Sequence, residues 1–392
     1  MQTTPNANRL HIGLFGRRNA GKSSLLNAIT GQNVAIVSDV AGTTADPVSK
    51  PMEVHPLGPC VFIDTAGYDD VGELGALRVE KTAAAIAKTD VALVLFSDAD
   101  IQPELAWIDR LGKTPYVPVI SKADLRTDVT ETAAKIKEAT GKDVVITSAS
   151  DKTGIDKLKA AIAAVLPEDL AADSITRGLV SDGDTVLLVM PQDIQAPKGR
   201  LILPQVQTIR ELLDKKCVVM SCTTDRMETA LASLAKPPKL IITDSQVFPI
   251  VYEKKPAESL LTSFSVLFAA YKGDIDVFVE GAKSIASLTE ESHVLIAEAC
   301  THAPLSEDIG RVKIPALLRK RFGQGLKVTM VSGADFPADL TPYDLIIHCG
   351  ACMFNRRHVL SRVEQAQNAN VPMTNYGVTI AFLTGILDKV VW

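Results

Sequence analysis

The sequence predicts an α/β protein in which an N-terminal domain with a doubly wound sheet is followed by two smaller α/β domains. The first observation is length, because 392 residues exceed what one hydrophobic core holds and indicate two or three domains. The second is the alternation of short apolar runs with helical patterns, which is typical of parallel β-α units. The third is a glycine-rich motif, G-x-x-x-x-G-K-S, which follows the first apolar run and opens a helical pattern.

The first domain is expected to span residues 1–168 and to alternate strands with helices. Its predicted strands are the apolar runs LHIGLFG, CVFID, VALVLF, YVPVIS and DVVITS. The helical patterns that follow them are GKSSLLNAIT, ALRVEKTAAAIA, PELAWIDRL, VTETAAKIKEAT and GIDKLKAAIAAVL. A stretch within residues 166–184 is expected to link this domain to the next one.

The second and third domains are expected over residues 180–263 and 264–392. In the second, TVLLVMP, CVVMSC and LIITD alternate with the helical patterns PQVQTIRELLDKK and RMETALASLA. In the third, HVLIAEA, LKVTMV and DLIIH alternate with IPALLRKRF, RRHVLSRVEQAQ and TIAFLTGIL. The run LLTSFSVLFAAY is shorter than the ~18 residues of a membrane span and is expected to be a buried helix. No internal repeat is expected.

Composition and charge narrow the classes of function. Hydrophobic residues make up 46% and charged residues 22% of the chain, as in ordinary globular proteins. The formal net charge of −5 argues against a dedicated nucleic-acid or membrane-surface binder. The N-terminus lacks a signal-peptide pattern, and six cysteines in a chain of this length do not form a disulfide scaffold, so the cytoplasm is the expected compartment. Cys60, Cys217 and Cys222 lie in apolar strands and are expected to be core residues.

The glycine-rich motif predicts a phosphate-binding loop, and with it a P-loop domain. Its glycines allow backbone N–H groups to surround phosphate oxygens, and the helix N-terminus adds a favourable field. Lys22 is expected to reach the β- and γ-phosphates, and the Ser23 hydroxyl to bind Mg²⁺. The residues expected to contact the nucleotide here are Gly16, Asn19, Ala20, Gly21, Lys22, Ser23 and Ser24.

Three further motifs end predicted strands in the order typical of a GTP-binding domain. In DTAG, Asp64 is expected to hold Mg²⁺ through water and the Gly67 N–H to face the γ-phosphate. In SKAD, Asp124 is expected to accept two hydrogen bonds from guanine while the Lys122 stem lies across the base. Because adenine offers no such pair of donors, GTP is favoured over ATP.

The third motif, SAS, is expected to reach the guanine O6 through a backbone N–H at Ser148 or Ala149. The guanine motif itself departs from the usual pattern, because Ser121 stands where an asparagine is typical. Serine can still form a hydrogen bond, but a less rigid loop and weaker nucleotide binding are expected.

The segments GRRNAGKSSLLNAITG and SDVAGTTADP resemble the tRNA-modification branch of the translation-factor-like GTPases. This resemblance implies that Thr44 is the switch threonine on Mg²⁺ and the γ-phosphate. It also implies a potassium site formed by Asn19 and backbone carbonyls near Ser38 and Val40. Since Tyr68, not glutamine, follows Gly67, slow and potassium-stimulated hydrolysis is expected. The residues expected to act in it are Lys22, Thr44, Asp64 and Gly67.

Cysteines and histidines follow two strands of the third domain. Cys300 and His302 follow HVLIAEA, whereas His348, Cys349 and Cys352 end or follow DLIIH. If these strands are parallel neighbours, both groups meet at the carboxyl edge of one sheet, where such sheets bind ligands. Three thiolates and two imidazoles suit either a structural zinc with Cys₃His ligation or a 4Fe–4S cluster with one weaker ligand. From the residues alone both remain open, as does the absence of a metal.

The C-x-H and H-C-x-x-C motifs, with the flanking HCGACMFNRRHVLSR and NVPMTNYGVTIAF, resemble the HydF family of FeFe-hydrogenase maturation GTPases over essentially the whole chain. The resemblance implies that Cys300, Cys349 and Cys352 ligate a 4Fe–4S cluster. His302 and His348 would be a fourth ligand or its hydrogen-bonded neighbours. It further implies a dimerising middle domain and a scaffold that receives a di-iron precursor built with two radical-SAM maturases and delivers it to apo FeFe-hydrogenase.

Two other functions are alternatives to this hypothesis. A tRNA-modification or ribosome-assembly GTPase would carry a structural zinc and a basic RNA-binding face, and the net charge of −5 counts against it. A redox enzyme would use the cluster for electron transfer, but only three thiolates occur in the constellation, which favours an open iron site.

Overall fold

A computed structural model describes residues 5–31, 48–64, 82–166, 174–191, 199, 201–298, 309–333, 335–351 and 354–392, and at residues 48–50 the backbone alone. The chain divides into two compact units, residues 1–172 and 173–392. The first unit contains the expected GTP-binding domain, and the second contains the two expected smaller domains.

The first unit is built on a six-stranded sheet with the order β2-β3-β1-β4-β5-β6. Its strands are β1 Leu10–Gly16, β2 Val48–Val54, β3 Gly58–Asp64, β4 Val91–Phe96, β5 Tyr116–Ile120 and β6 Val145–Ile146. All neighbours are parallel except β2, which runs antiparallel to β3 at the sheet edge. Sequence reasoning missed β2 because its segment, VSKPMEV, mixes charges and a proline, which edge strands tolerate.

Among the described residues of the first unit, four complete helices lie on this sheet. They are α1 Lys22–Thr30, α2 Gln102–Leu111, α3 Val129–Thr140 and α4 Ile155–Val165, and residues 82–86 are also helical. Apolar residues of β1, β3 and β4 pack with α1 and α4 in one core, while α2 and α3 pack on a second core. Helices on two faces of a largely parallel sheet confirm the predicted doubly wound architecture.

The second unit contains two four-stranded parallel sheets. The first has β7 Thr185–Val189, β8 Val218–Cys222, β9 Leu240–Thr243 and β10 Leu260–Ser263. The second has β11 His293–Glu298, β12 Lys327–Ser332, β13 Leu345–His348 and β14 Met373–Asn375. Their helices are α5 Leu203–Asp214, α6 Met227–Ala232, α7 Phe248–Lys254, α8 Phe264–Lys272, α9 Ile275–Lys283, α10 Ile314–Phe322, α11 Arg356–Asn368 and α12 Tyr376–Leu383.

The run LLTSFSVLFAAY is not one buried helix, as the sequence predicts. Its first four residues form β10, and α8 begins at Phe264. The Ser263 hydroxyl accepts a hydrogen bond from the Val266 N–H at 3.2 Å and so caps the helix. The change from strand to helix cannot be predicted from hydrophobicity, because both segments are buried. A short buried strand has no apolar periodicity that distinguishes it from a helix.

The two sheets of the second unit repeat one topology, so the expectation of no internal repeat is wrong. Their strand orders, β10-β9-β7-β8 and β14-β13-β11-β12, correspond strand for strand. Val186 pairs with Leu240 as Val294 pairs with Leu345. The same equivalence aligns the segments TSFSVLFAAYKG (262–273) and TNYGVTIAFLTG (374–385). The repeat places α8 in the first copy, although the expected boundary at residues 263 and 264 assigns it to the third domain.

Equivalent helices of the two copies pack against each other. A Cβ atom added to Gly377, in α12, would lie 2.3 Å from the Oγ of Ser265, in α8. Ser265 and Gly377 are equivalent positions in the repeat, and contact between equivalent positions indicates an approximate two-fold relation between the copies. One hydrophobic core includes residues of both sheets, so the copies fold as one unit.

Candidate functional site

The phosphate-binding loop lies between β1 and α1 at the carboxyl edge of the six-stranded sheet. Gly21 has a φ of 89°, a left-handed conformation that glycine adopts without strain. Lys22 is buried, and its Nζ donates to the carbonyl oxygens of Gly16 at 2.9 Å and Arg17 at 2.8 Å. The ammonium group therefore lies against the loop backbone, where it and the N–H groups at the start of α1 suit an oxyanion.

Two oxygen donors meet beside this loop. Ser23 is in the first turn of α1, and Asp64 ends β3, the parallel neighbour of β1. The Ser23 hydroxyl donates to Oδ2 of Asp64 at 3.2 Å. Hydroxyl and carboxylate oxygens are ligands that Mg²⁺ prefers, so the pair fits the ion expected with GTP.

Ser121 connects the guanine motif to the phosphate loop. Its hydroxyl donates to the carbonyl oxygen of Ala20 at 2.7 Å in a buried hydrogen bond. A Cβ atom added to Gly21 would lie 3.6 Å from Cε of Lys122, so the Lys122 stem also lies close to the phosphate loop. The Ser121 hydroxyl thus holds the guanine motif to the phosphate loop. This hydrogen bond counteracts the loosening of the loop that is expected in the absence of asparagine.

Asp124 is exposed and receives a hydrogen bond from the SAS motif. Ser150 Oγ donates to Asp124 Oδ2 at 2.8 Å, and Ser148 Oγ lies 2.9 Å from Ser150 Oγ. These hydrogen bonds, from Ser150 first and Ser148 second, lower the pKa of the Asp124 carboxyl. An ionised, exposed carboxylate suits the two N–H donors of guanine.

A partly buried ion pair that sequence reasoning missed holds the start of the phosphate loop. The Arg17 guanidinium donates to both carboxylate oxygens of Glu104, at 2.8 and 2.9 Å, and Glu104 is 0% exposed. This fork-like geometry holds the loop against α2. The sequence feature that could have indicated this ion pair is Glu104, a glutamate in the first turn of a helix that packs on the core.

Several predicted residues of the nucleotide site lie outside the described residues. They are Thr44, Gly67 and the potassium-site positions Ser38 and Val40, together with Tyr68. Asn19 is described and has a φ of 59°, within the turn that carries the loop.

The sheet edge that carries the cysteines has the predicted arrangement. β11 and β13 are parallel neighbours, with Ala297 paired to His348, which confirms that the two strands deliver their carboxyl ends to the same edge. Cys300, His302 and Cys352 lie outside the described residues. Cys349 is half-buried and accepts a hydrogen bond from the Ala351 N–H at 3.4 Å. No group of three His, Cys, Asp or Glu side chains close enough to hold a metal occurs among the described residues.

Both ring nitrogens of His348 are engaged. Nδ1 donates to the Cys349 carbonyl at 2.7 Å, and Nε2 accepts from Nη1 of Arg362 at 2.9 Å. Burial, and then the Arg362 charge, lowers the pKa of His348 to about 3, so the ring is neutral. The tautomer follows from Arg362, which can only donate.

Arg362 is a buried cation beside Cys349. It is 3% exposed, and it also donates to the Gly333 carbonyl at 2.5 Å and lies over the ring of Phe336. Burial lowers the pKa of Arg362 to about 10, and the charge of Cys349 opposes this shift. Among the described residues no carboxylate pairs with this guanidinium. A buried positive charge next to a cysteine favours the thiolate that metal ligation requires.

The other cysteines match their predicted place, since Cys60 and Cys217 are buried and Cys222 is partly buried. Burial raises the pKa of the Cys60 thiol to about 12. In the part of the chain that the structure covers, no helix combines the length and apolar character needed to cross a bilayer.

The GTP-binding unit is similar to several bacterial GTPases. The tRNA modification GTPase MnmE of Chromobacterium violaceum is 37% identical over 158 residues, which are 38% of this chain and 33% of that protein. The GTPase Der of Campylobacter hominis is 34% identical over 164 residues, or 41% of this chain and 35% of that protein. The chain thus spans about a third of the length of the curated relatives it matches.

Solved structures give weaker similarities. Era from Aquifex aeolicus bound to GDP·AlF4⁻ has a TM-score of 0.37 and 20% identity, covering 64% of this chain and 99% of that chain. An NFeoB structure from S. thermophilus bound to GMPPNP has a TM-score of 0.33 and 25% identity, covering 40% of this chain and 62% of that chain.

Family models match most of the chain in three consecutive parts. The 50S ribosome-binding GTPase model matches residues 11–122. The hydrogen maturase F dimerization domain matches residues 175–273, and the hydrogen maturase F tetramerization domain matches residues 276–392. These last two models together cover more than half of the chain. The chain therefore belongs to the hydrogen maturase F (HydF) family, with a GTPase domain ahead of the dimerization and tetramerization domains.

Proposed function

We propose that this chain hydrolyses GTP and acts as a 4Fe–4S scaffold or carrier that assembles and delivers the di-iron precursor of the FeFe-hydrogenase active site. The observation that carries the proposal is the coexistence of two sites at sheet edges of one HydF-family chain. One is a phosphate loop with a Mg²⁺-compatible oxygen pair, and the other is a cysteine edge with a buried cation.

In the nucleotide site, the described residues account for binding and orientation. Lys22 neutralises phosphate charge, Ser23 and Asp64 hold Mg²⁺, and Asp124 selects guanine. Thr44 and the Gly67 N–H are proposed to complete the γ-phosphate contacts. A potassium ion at Asn19 is proposed to supply the positive charge that a catalytic side chain would otherwise provide, so hydrolysis is expected to be slow and potassium-stimulated.

In the cysteine site, Cys300, Cys349 and Cys352 are proposed as the cluster ligands. Their thiolates are the donors that iron–sulfur clusters prefer, and a cluster held by these three residues would have one iron left for an exchangeable ligand. His302 is the better candidate for that position, because both nitrogens of His348 already have hydrogen-bond partners. His348 would then hold the Cys349 carbonyl through Nδ1 while Nε2 accepts the hydrogen bond from Arg362.

Self-association follows from the dimerization and tetramerization domains. The further partners, apo FeFe-hydrogenase and two radical-SAM maturases, are proposals that rest on family membership, as is a cytoplasmic location. A switch segment within residues 32–47 or 67–80 is proposed to link the GTP state to these encounters.

The test is the iron, zinc and acid-labile sulfide content per chain after anaerobic reconstitution, with EPR of the dithionite-reduced protein. About four irons and four sulfides are expected for a 4Fe–4S cluster, with a reduced-cluster signal that is lost when Cys300, Cys349 or Cys352 is changed to Ala. One tightly held zinc without sulfide would contradict the proposal. It would favour the second candidate, an RNA-linked GTPase with a structural zinc, which the similarity of the GTP-binding unit to MnmE makes the natural alternative.

A further inference from the structure

The buried carboxylate of Glu104 lies beside the start of the phosphate loop. Glu104 is in the first turn of α2, the helix that follows β4, and β4 is the parallel neighbour of β1. A Cβ atom added to Gly16 would lie 2.9 Å from the Leu95 carbonyl oxygen, so the loop leaves β1 directly against β4. The Arg17 guanidinium donates to the Asp100 carbonyl oxygen and to both carboxylate oxygens of Glu104. The loop is thereby fixed to the connection between β4 and α2.

The backbone of the same arginine contacts the phosphate-loop lysine. Lys22 Nζ donates to the carbonyl oxygen of Arg17 at 2.8 Å and to that of Gly16 at 2.9 Å. Arg17 therefore accepts from Lys22 with its backbone, while its side chain donates to Glu104 at 2.8 and 2.9 Å. A shift of Arg17 would move an oxygen that receives the ammonium group, and this ammonium group is expected to bind the β-phosphate.

The geometry of this ion pair suits positioning more than stability. The side chain of Glu104 is 0% exposed and that of Arg17 is 17% exposed, so both charges have lost most of their contact with water. Desolvation of two charges is costly, and apolar residues of similar volume often replace a buried ion pair without loss of stability. Apolar residues cannot replace the two parallel hydrogen bonds, which fix the direction of the guanidinium as well as its distance.

We propose that Glu104 and Arg17 are positioning residues for Lys22. The ion pair fixes the Arg17 carbonyl and so sets the place from which Lys22 reaches the β-phosphate of a guanine nucleotide. The proposal rests on the proposed nucleotide site. It gives α2 a part in nucleotide affinity, although none of the nucleotide contacts expected from the sequence lies on that helix.

The experiment compares four variants of the full-length chain. Glu104→Gln and Arg17→Lys each weaken the ion pair, and the double variant Arg17→Met with Glu104→Met removes both charges together. Glu131→Gln is the matched control, because Glu131 forms an exposed ion pair with Lys135 at 2.7 Å on α3. Such exposed pairs contribute little to stability.

Two nucleotides separate the contact of Lys22 from the other contacts of the site. We would measure the affinities for GDP and GMP in the presence of Mg²⁺, by competition with a fluorescent GDP analogue. GMP lacks the β-phosphate that Lys22 is expected to reach, so its affinity reports the remaining contacts. Thermal unfolding and amide hydrogen exchange of peptides covering residues 16–24 would be measured in the nucleotide-free chains.

The double variant should separate stability from nucleotide affinity. We expect it to unfold near the temperature of the unchanged chain, because apolar residues replace both charges. Its GDP affinity should fall about tenfold, the size of one charge-assisted hydrogen bond, while its GMP affinity changes little. Amide exchange in residues 16–24 should be faster. Glu104→Gln and Arg17→Lys keep part of the hydrogen bonding and should lie between, and Glu131→Gln should behave like the unchanged chain.

Unchanged GDP affinity in the folded double variant would overturn the proposal, as would an equal loss of GDP and GMP affinity. If the double variant does not fold, Glu104→Gln decides through the same two affinities. An unchanged chain that binds neither nucleotide would instead refute the proposed nucleotide site. Amide exchange in the nucleotide-free chains would then decide whether the ion pair holds the loop, and equal exchange with and without the pair would overturn that role.

Discussion

A single hydroxyl joins the two motifs that are proposed to hold the nucleotide. Ser121 donates to the Ala20 carbonyl, so the guanine motif and the phosphate loop are fixed relative to each other before a ligand binds. Removing one partner of a buried hydrogen bond leaves the other unsatisfied, which costs more than an exposed bond would.

Ser121→Ala is therefore expected to weaken GDP binding by about 1 kcal/mol, or roughly fivefold in Kd. Ser121→Asn should bind at least as well as the unchanged chain, because asparagine is longer and is the usual residue of this motif. Ser233→Ala, a surface serine of the second unit, is the control. Calorimetric titration with GDP is the measurement, and equal affinity in Ser121→Ala would show that the tether does not contribute.

The residues that the sequence predicted are those whose chemistry is tied to a motif. Lys22 and Ser23 could be predicted because the motif places them at the start of a helix, and Asp64 and Asp124 because their motifs end or follow strands. Arg17, Lys272 and Arg362 could not, because a cation acquires its role from a buried partner distant in sequence. No local pattern signals the contact between Lys272 and the Ala351 carbonyl, because the two residues are 79 positions apart.

At the scale of elements, helix α5 is held by a carboxylate. Glu211 accepts from the Ser174 hydroxyl at 2.8 Å and from the Thr176 N–H and hydroxyl at 2.9 and 2.7 Å, as well as from the Ile175 N–H. Burial alone would raise the pKa of Glu211, but these hydrogen bonds outweigh it and lower the pKa. The segment before β7 is thereby tied to α5.

Glu211→Gln should destabilise the second unit by about 1–3 kcal/mol at pH 7. Because the folded-state pKa of Glu211 is lowered, its stabilisation is present above the unfolded pKa and is lost as pH falls below it. The difference between the two chains should therefore shrink below about pH 4. Denaturant unfolding at several pH values is the measurement. Asp214→Asn, which breaks an exposed pair on the same helix, should change stability little, and a pH-independent Glu211→Gln effect would contradict this account.

The packing of α8 against α12, the equivalent helices of the repeat, can be tested by substitution. Gly377→Ala places a Cβ 2.3 Å from Ser265 Oγ and should destabilise the second unit, by about 1–3 kcal/mol for overpacking. Ser265→Gly in the same chain exchanges the small residue between equivalent positions and should recover much of that loss. Gly178→Ala, at a position with open space, is the control. Thermal unfolding measures all three, and an absent rescue would argue against the close approach of the two positions.

The repeat also explains why topology was harder to predict than element type. Strands such as β7, β9, β11 and β13 are buried apolar runs whose identity is clear, whereas β10 and β14 are short and continue directly into helices. The identical residues in the aligned segments are the threonine at 262 and 374, the valine at 266 and 378, the alanine at 269 and 381 and the glycine at 273 and 385. This similarity is recognised once strand register fixes the alignment.

At the scale of the whole molecule, the two proposed sites lie in separate units. The residues proposed to bind the nucleotide fall within residues 1–172, and the proposed cluster ligands fall within 173–392. Each unit has its own core. The residues assigned to each proposed site thus belong to one unit.

Lys22→Ala should consequently abolish measurable GTP hydrolysis, a loss of about 100-fold or more when a charge-stabilising group is removed, while iron and sulfide content after reconstitution stays unchanged. Cys349→Ala should do the reverse, losing the cluster while retaining basal hydrolysis. Phosphate release and metal analysis on the same preparations measure both. Loss of iron in Lys22→Ala, or of basal hydrolysis in Cys349→Ala, would mean that the two units share a site or that one unit cannot fold without the other's ligand. The expected pattern would leave the proposed transfer of the di-iron precursor as the step at which GTP binding and the cysteine site are coupled.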